Sequence, residues 1–359
     1  MKSSCDKVTK FPYETSIMKK IDIYNHIWPP AFYDRVVKLS PNASNMTKRV
    51  RAVPMITDLD VRFKVMDMFD NYLQILSLAS PPLEMLVPEP DVADLARLAN
   101  DSMAELVQNY PERFPGFIAS LPLTDPEAAV LEAERAIRDL HAVGVQGFTN
   151  VQGKSLDGLE FRPLFQLVSA LGKPVWIHPS RGPNFPDYLA EDHSKYEIWW
   201  AFGWPYETSV CMARMVFSKL FDEFPDLKII THHGGGMIPY FEGRVGYGWD
   251  QLGARTTAVD YSRLLSELQH RPLDYFRRFI ADTATFGSDS ATRCALDFFG
   301  VDNIVFASDA PFDPEQGPLY IRETIRVIDS LDISEADREK IYHGNAIRLC
   351  GLPEGVKPG

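Results

Sequence analysis

The chain has 359 residues, of which 45% are hydrophobic and 24% charged, and its formal net charge is −12. This composition excludes a largely disordered chain, because there is ample apolar surface to bury. The negative charge argues against general binding to nucleic acid or to anionic membranes. No apolar run approaches the roughly 18 residues of a membrane-spanning helix, and the first twenty residues lack the apolar segment of a secretory signal.

Short apolar runs rich in β-branched residues alternate with helical patterns along almost the whole chain. The predicted strands are Ile21–Asn25, Leu73–Leu78, Gly116–Leu121, Val145–Thr149, Pro174–His178, Lys228–His232, Phe279–Asp282 and Asn303–Ser308. The predicted helices between them include Asp91–Tyr110, Asp125–His141, Phe161–Leu171, Tyr206–Phe224, Ser290–Phe299 and Leu319–Leu331. Such alternation is typical of a parallel sheet, and eight strands close a (β/α)8 TIM barrel. We therefore predict one TIM-barrel domain over residues 1–359, with residues 1–20 as an N-terminal extension.

Two long segments interrupt this alternation, Ile27–Asp58 after the first strand and Ser180–Pro205 after the fifth. In a barrel, both insertions lie at the C-terminal face, where loops bind substrate. An open, doubly wound sheet is the alternative fold. No G-x-G-x-x-G motif follows the first strand, so the usual nucleotide-binding signature of that alternative is missing.

The four cysteines are far apart and form no C-x-x-C pair; they are Cys5, Cys211, Cys294 and Cys350. This spacing predicts free thiols rather than a disulfide framework. A reducing cytoplasm is the simplest location for a chain with such cysteines.

Histidine and aspartate residues stand at the ends of several predicted strands. His26 follows the first strand, His178 ends the fifth, His232 and His233 come at the end of the sixth, and Asp309 follows the eighth. In a closed barrel these strand ends meet at one rim, so the side chains can converge. Imidazole and carboxylate groups bind divalent transition metals, and an open coordination position makes such a metal a catalyst. The pattern indicates a catalytic metal site.

Several segments around these residues form a distinctive set of motifs. They are Ile21–His26, Trp176–Pro179, Phe224–Lys228, His233–Gly236, Pro239–Arg244, Phe306–Phe312 and Gly344–Leu349. With them, the chain from Ile21 to Leu352 resembles the amidohydrolase superfamily, in the branch of aminocarboxymuconate-semialdehyde decarboxylase and the hydroxybenzoate decarboxylases. The resemblance implies a TIM barrel with one divalent metal, usually zinc and sometimes manganese, and it implies a homodimer.

The same resemblance implies roles for the residues at the strand ends. His26, His178 and Asp309 are the expected metal ligands, Asp309 also carries a proton, and His233 is the expected catalytic histidine. We expect His232 to point away from the site and to pack, because neighbouring side chains on a strand alternate.

Tyr24 stands where members of this branch have histidine or glutamate, two residues before His26. Three interpretations of Tyr24 are open. In the first, its oxygen is a metal ligand, although a phenol with an ordinary pKa of about 10 needs help from the cation to ionise. In the second, it donates a hydrogen bond to a metal-bound water, which leaves three protein ligands. In the third interpretation the metal is weak or absent and Tyr24 is a packing residue.

Arginine is the natural partner of a substrate carboxylate, because its planar guanidinium forms two parallel hydrogen bonds with it. The candidates are Arg181, three residues after His178, and Arg49 and Arg51 in the first insertion. The aromatic run from Trp199 to Trp204 either covers an aromatic substrate, with Trp204 in contact, or is buried in a dimer interface.

The predicted function is non-oxidative decarboxylation of a small aromatic or conjugated carboxylic acid by a metal-dependent enzyme. Its partner is then a small-molecule carboxylate, with neither nucleic acid nor membrane involved. The alternative is a metal-dependent hydrolase or hydratase that acts on a lactone, an amide or an unsaturated acid. A third hypothesis is a barrel without metal that serves as a binding or scaffold protein. Release of carbon dioxide separates the first hypothesis from the second.

Overall fold

The structure is a computed structural model that describes residues 18–42, 45–353 and 355. Residues 1–17 of the predicted N-terminal extension, with Cys5, lie outside the described residues. None of the helices in the described part of the chain has the length and apolar character that crossing a bilayer requires.

Eight parallel strands form one sheet, in the order β1-β2-β3-β4-β7-β8-β9-β10. They are β1 Lys20–Ile27, β2 Tyr72–Leu78, β3 Gly116–Ala119, β4 Gly144–Phe148, β7 Val175–His178, β8 Ile229–Thr231, β9 Ile280–Asp282 and β10 Ile304–Val305. Strands β5 Asn150–Val151 and β6 Lys154–Ser155 form a small antiparallel pair after β4, which was not predicted from the sequence.

Backbone hydrogen bonds join β1 to the segment that follows β10. Ile23 N donates to Phe306 O at 3.0 Å, Asp309 N donates to Tyr24 O at 3.0 Å, and His26 N donates to Ala310 O at 2.8 Å. These bonds connect the first and last strands of the sheet, so the predicted (β/α)8 TIM barrel is confirmed.

Helices surround the barrel and fill its two insertions. They are α1 Pro30–Leu39, α2 Asn45–Arg51, α3 Leu59–Met66, α4 Glu89–Asn109, α5 Pro126–Arg138, α6 Arg162–Ala170, α7 Ile198–Ala201, α8 Gly203–Phe217, α9 Leu220–Glu223, α10 Leu264–Glu267, α11 Pro272–Phe276, α12 Asp289–Phe299, α13 Pro318–Ser330, α14 Glu335–Glu339 and α15 Asn345–Cys350. The first insertion contains α1 and α2, and the second contains α7 and the start of α8.

Apolar side chains from alternate strand positions fill the interior of the barrel, together with residues of α15. This interior cluster includes Ile21, Ile23, Tyr24, Leu73, Ile75, Ile118, Trp176, Ile230, Ile280, Val305 and Leu349. The register of β1 against β2 shifts between Asp22 and Asn25. Such a bulge interrupts the alternation of side chains, which explains how Tyr24 joins Ile21 and Ile23 in the same cluster.

Candidate metal centre

The carboxylate of Asp309 and the imidazole of His26 are in direct contact. Nε2 of His26 lies 2.8 Å from Oδ1 of Asp309, and both side chains are buried. His26 belongs to β1, and Asp309 belongs to the segment after β10 that the backbone bonds hold against β1. Closure of the barrel therefore brings together two of the three expected metal ligands.

The hydrogen bonds around His26 define which protons it carries. Ser77 Oγ donates its single proton to Asn25 O at 2.6 Å, so it can only accept from Nδ1 of His26, which lies 3.3 Å away. Nδ1 then carries a hydrogen, and Nε2 faces a carboxylate oxygen that is itself an acceptor. The space between Nε2 and Asp309 is the position that a shared divalent cation can take.

His178, at the end of β7, presents the same nitrogen. Its Nδ1 lies 2.6 Å from the carbonyl oxygen of Pro179, which can only accept, so Nε2 holds the lone pair. Burial lowers the pKa of His178 well below the usual value, and the nearby rings of His232 and His26 lower it further. Its neutral form, which is the form that binds metal, is therefore favoured.

The spacing of these donors suits a metal ion, although the site is not closed. The ring centres of His26 and His178 are 5.9 Å apart, and two imidazoles that share one ion have ring centres roughly 5–6 Å apart, given metal–nitrogen bonds of about 2.1 Å. Within the described residues, no group of three or more His, Cys, Asp or Glu side chains is arranged to hold a metal ion as it stands. The donor types and the His26–Asp309 contact fit a divalent metal, and small side-chain movements are needed to complete its coordination.

His233 lies between the carboxylate of Asp309 and the aromatic wall of a cavity. Its Nε2 is 3.6 Å from Oδ2 of Asp309, and its ring stacks on Trp204 and contacts Phe286. Burial alone would lower the pKa of His233, but the carboxylate of Asp309 outweighs it and raises this pKa. Burial in turn would raise the pKa of Asp309, but hydrogen bonds from His233 and His26 hold it well below its usual range.

The orientation predicted for His232 is wrong. Its ring stacks on Tyr24, with ring centres 3.4 Å apart, and lies 5.7 Å from the ring of His178. Strand β8 ends at Thr231, and His233 has a positive φ of 56°. His232 has an extended backbone two positions after Ile230, which faces the barrel interior, so alternation turns it inward. The left-handed backbone at His233 brings that side chain to the site as well.

The glycines after His233 allow this turn. Gly236 has a φ of +64°, and a Cβ there would lie 2.7 Å from the carbonyl oxygen of Pro205. Only glycine fits both the backbone conformation and the close approach to α8.

Tyr24 is fully buried, and its hydroxyl has no hydrogen-bond partner among the described residues. Burial raises the pKa of Tyr24 well above its usual value, and the carboxylates of Asp309 and Asp282 raise it further. These surroundings favour the neutral phenol over a phenolate ligand.

A cavity of about 460 Å³ opens above Asp309 and His178. Its other lining residues are largely aromatic or cationic, and they include Lys48, Arg49, Trp199, Trp200, Trp204, Phe286, Phe312 and Tyr320. Trp204 packs against the ring of His178 at 5.2 Å, so the aromatic run of the second insertion does cover the site. Lys48, Phe286 and Tyr320 were not singled out in the sequence, although each lies in or beside a segment that follows a barrel strand.

The structure distinguishes the three candidate arginines. Arg49 lines the cavity and donates to Phe312 O at 2.7 Å. Arg51 instead donates to Ser40 O and Pro41 O, and it is not among the described residues that line the cavity. Arg181 forms an ion pair with Glu207 at 2.7 Å and lines a smaller adjoining pocket of about 90 Å³. Arg49, rather than the expected Arg51 or Arg181, is therefore the arginine placed at the main cavity.

A closed barrel with imidazoles and a carboxylate at its strand ends defines a class of metal-dependent barrel enzymes. A family model described as Amidohydrolase matches residues 21–352, and the chain belongs to this family. The resemblance drawn from the sequence is thereby confirmed.

Curated relatives and solved structures extend this finding. A gamma-resorcylate decarboxylase of Polaromonas sp. is 33% identical over 305 residues, covering 82% of this chain and 87% of that protein. A 2-amino-3-carboxymuconate-6-semialdehyde decarboxylase of Dictyostelium discoideum is 28% identical over 350 residues, covering 93% and 92%. A crystal structure of a dihydroxybenzoic acid decarboxylase from Polaromonas sp., with bound manganese and the inhibitor 2-nitroresorcinol, aligns with a TM-score of 0.72 at 27% identity, covering 93% of this chain and 97% of that chain.

Proposed function

We propose that this protein is a carboxy-lyase that removes carbon dioxide from a small aromatic or conjugated carboxylic acid without a redox cofactor. The observation that carries this proposal is the contact between His26 and Asp309 at the floor of an aromatic cavity that also holds Arg49. The relatives described above are named as decarboxylases of acids of this kind, which supports the same reaction here.

One divalent metal ion is part of this proposal, with His26, His178 and Asp309 as the residues that would hold it. A bound ion supplies positive charge next to the oxygens of the substrate. Sites rich in imidazole suit zinc, so Zn²⁺ is the proposed ion. Manganese in the related decarboxylase makes Mn²⁺ the competing outcome, and metal analysis of protein purified without chelators decides between them.

The cavity residues orient the substrate in this scheme. Arg49 binds a carboxylate or phenolic oxygen at the wall of the cavity, because guanidinium groups match such oxygens. Trp204 and Phe286 hold the flat ring or conjugated chain between them, beside His233. The aromatic lining keeps water from the carboxylate, which favours loss of that charged group as neutral carbon dioxide.

The reaction replaces one bond to carbon with another. The bond between the substrate's ring or chain carbon and its carboxylate carbon breaks, and its electron pair stays on the conjugated system. Carbon dioxide leaves, and the imidazole of His233 delivers a proton to the same carbon. Asp309 accepts from His26 and lies beside His233, so it holds the imidazole in place and helps to return the proton from solvent.

The test is direct measurement of carbon dioxide. Metal-replete protein is incubated with dihydroxybenzoates, methylsalicylate and a conjugated dienoic acid, and carbon dioxide and product are quantified together. Equal amounts of both are expected, and both should be lost in His178→Ala. Consumption of a lactone, an amide or an unsaturated acid without carbon dioxide would instead support the hydrolase or hydratase alternative.

We also propose that the protein is a cytoplasmic homodimer. Large apolar side chains are exposed on the second insertion, at Tyr188, Leu189, Tyr196 and Phe202, and burial of such side chains against a partner is favourable. A second copy of the chain is the proposed occupant of this surface.

The described cysteines, Cys211, Cys294 and Cys350, are free thiols. Free thiols suit a reducing compartment, which supports the proposed cytoplasmic location.

A further inference from the structure

The hydrogen bonds of His232 fix one of its two ring nitrogens. Nδ1 lies 2.6 Å from Oδ2 of Asp282. The other oxygen of Asp282 accepts from the backbone N–H groups of Gly234 at 3.2 Å and Ala284 at 3.1 Å, so the carboxylate is itself held in place. An aspartate that accepts from Nδ1 leaves the lone pair on Nε2.

That second nitrogen is buried and unsatisfied. Nε2 of His232 has no hydrogen-bond partner among the described residues, and the side chain has no exposed surface. A buried acceptor without a partner is unusual in a folded protein, and each such group calls for an occupant.

His26, His178 and His232 share one arrangement. In each of them Nδ1 is paired with an oxygen, of Ser77, Pro179 and Asp282 respectively. Nε2 of His26 faces the carboxylate of Asp309, an expected metal ligand, and Nε2 of His232 has no partner among the described residues. Histidines that bind metal ions show this same division between the two nitrogens. The ring centres of His178 and His232 are 5.7 Å apart, close to the 5.9 Å between His26 and His178.

His233 differs from these three histidines. Its Nε2 faces Asp309, and it is Nδ1 that lacks a partner among the described residues. His233 packs on Trp204 and Phe286, which line the cavity, and its side chain is 10% exposed, whereas the side chain of His232 has no exposed surface. His233 thus faces the substrate, while His232 lies deeper, against Tyr24 and beside the metal centre.

We infer that His232 is a fourth protein ligand of the metal ion, through Nε2, and that it supplies the imidazole that Tyr24 does not. This inference rests on the proposed metal site at His26, His178 and Asp309. Tyr24 is then a packing residue whose ring supports His232 by stacking. Asp282 is a positioning residue, since it acts through His232.

The test is metal binding by the full-length protein, with zinc alone as the probe. X-ray absorption at the zinc edge counts bound imidazoles, and we expect three in the wild type and two in His232→Ala. Competition with a chelating dye should show that zinc binds at least about tenfold more weakly to His232→Ala. Tyr24→Phe should retain both the imidazole count and the affinity of the wild type, as should His193→Ala, a control at an exposed histidine of the second insertion.

The inference is overturned if the wild type shows two imidazoles, or if Tyr24→Phe loses zinc while His232→Ala keeps it. A count of two imidazoles on wild-type protein refutes the inference even where His232→Ala does not fold. None of these measurements requires turnover, so a protein that binds zinc through three imidazoles but decarboxylates no acid sustains this inference and contradicts the proposed reaction. A wild type that binds no zinc contradicts the metal site and this inference together.

Discussion

Nε2 of His26 lies 2.8 Å from Oδ1 of Asp309, although 283 positions separate the two residues in the chain. Asp309 also reaches His233, whose Nε2 lies 3.6 Å from its other oxygen. The carboxylate of Asp309 thus lies beside both His26, the expected metal ligand of β1, and His233, the proposed proton donor that follows β8.

Replacing Asp309 with asparagine should reduce kcat at least about 100-fold, because the amide neither balances the charge of His233 nor binds a cation as a carboxylate does. Steady-state kinetics and metal analysis check this together. Asp289→Asn is the control and should retain both activity and metal, because Asp289 of α12 pairs with Arg326 and is not among the described residues that line the cavity. Wild-type kcat in Asp309→Asn would contradict the assigned role.

Arg49→Met should raise KM by roughly 10–100-fold, because a charge-assisted hydrogen bond of about 1.5–3 kcal/mol is lost. Arg51→Met is the matched control, since Arg51 donates to the carbonyls of Ser40 and Pro41 rather than lining the cavity. Its KM should stay near that of the wild type. If KM rose in the Arg51 variant and not in the Arg49 variant, the assignment of the substrate-binding arginine would be reversed.

His233→Asn should lower kcat by about 10²–10⁴-fold while KM changes little, because the variant lacks the group that delivers the proton. A second readout is hydrogen exchange between the product and D2O, followed by NMR at the carbon that lost its carboxylate. The wild type should catalyse this exchange, and the variant should not. Exchange at the wild-type rate in His233→Asn would assign the proton transfer to another group.

The buried carboxyl group of Asp22 should make the free energy of unfolding depend on pH. Burial raises the pKa of Asp22 from 3.8 to about 6, against hydrogen bonds from Ser308, Tyr72 and backbone N–H groups. Between these values the folded chain binds more protons than the unfolded chain, so stability is lost as pH rises through the window. The free energy of unfolding of the wild type, relative to Asp22→Asn, should fall by roughly 2–3 kcal/mol between about pH 4 and about pH 7. Urea denaturation of both proteins across this range checks the prediction, and a constant difference would contradict it.

The proposed homodimer predicts twice the chain mass in light scattering. Phe202→Asp should shift the protein toward monomer, because it places a charge on the exposed apolar surface of the second insertion. Leu159→Asp, an exposed apolar side chain outside that insertion, is the control. A wild type that is monomeric at micromolar concentration would refute the proposal.

The sequence predicted the barrel well because its strands are buried and strongly apolar. The strand predicted at Lys228–His232 is observed as Ile229–Thr231, and the one predicted at Phe279–Asp282 as Ile280–Asp282. The last strand was predicted to run to Ser308, but it ends at Val305, since the following residues form hydrogen bonds with β1 instead of continuing along β9. That change of partner is a long-range effect that local patterns do not contain.

Side-chain directions in the site were harder to predict than the residues themselves. His232 has an extended backbone and follows the inward-facing Ile230 by two positions, so it lies against Tyr24 inside the barrel. The left-handed backbone of His233, which local patterns do not predict, brings the next side chain to the site as well. Arg49 and Arg51 lie two positions apart on α2, and their sequence gives no reason to choose between them. What separates them is the position of their backbone partners: Arg49 donates to Phe312 O, a distant segment that only the folded chain brings near, and Arg51 donates to the nearby Ser40 O.

The proposed metal ion would strengthen the closure of the barrel, where hydrogen bonds join β1 to the segment after β10. His26 lies on the first strand of the barrel and Asp309 directly follows the last strand. An ion bound by both side chains would therefore cross-link these two strands. Chelation should then loosen the N-terminal and C-terminal portions as a pair, visible as faster amide exchange in both, while the strands on the far side of the ring keep their protection.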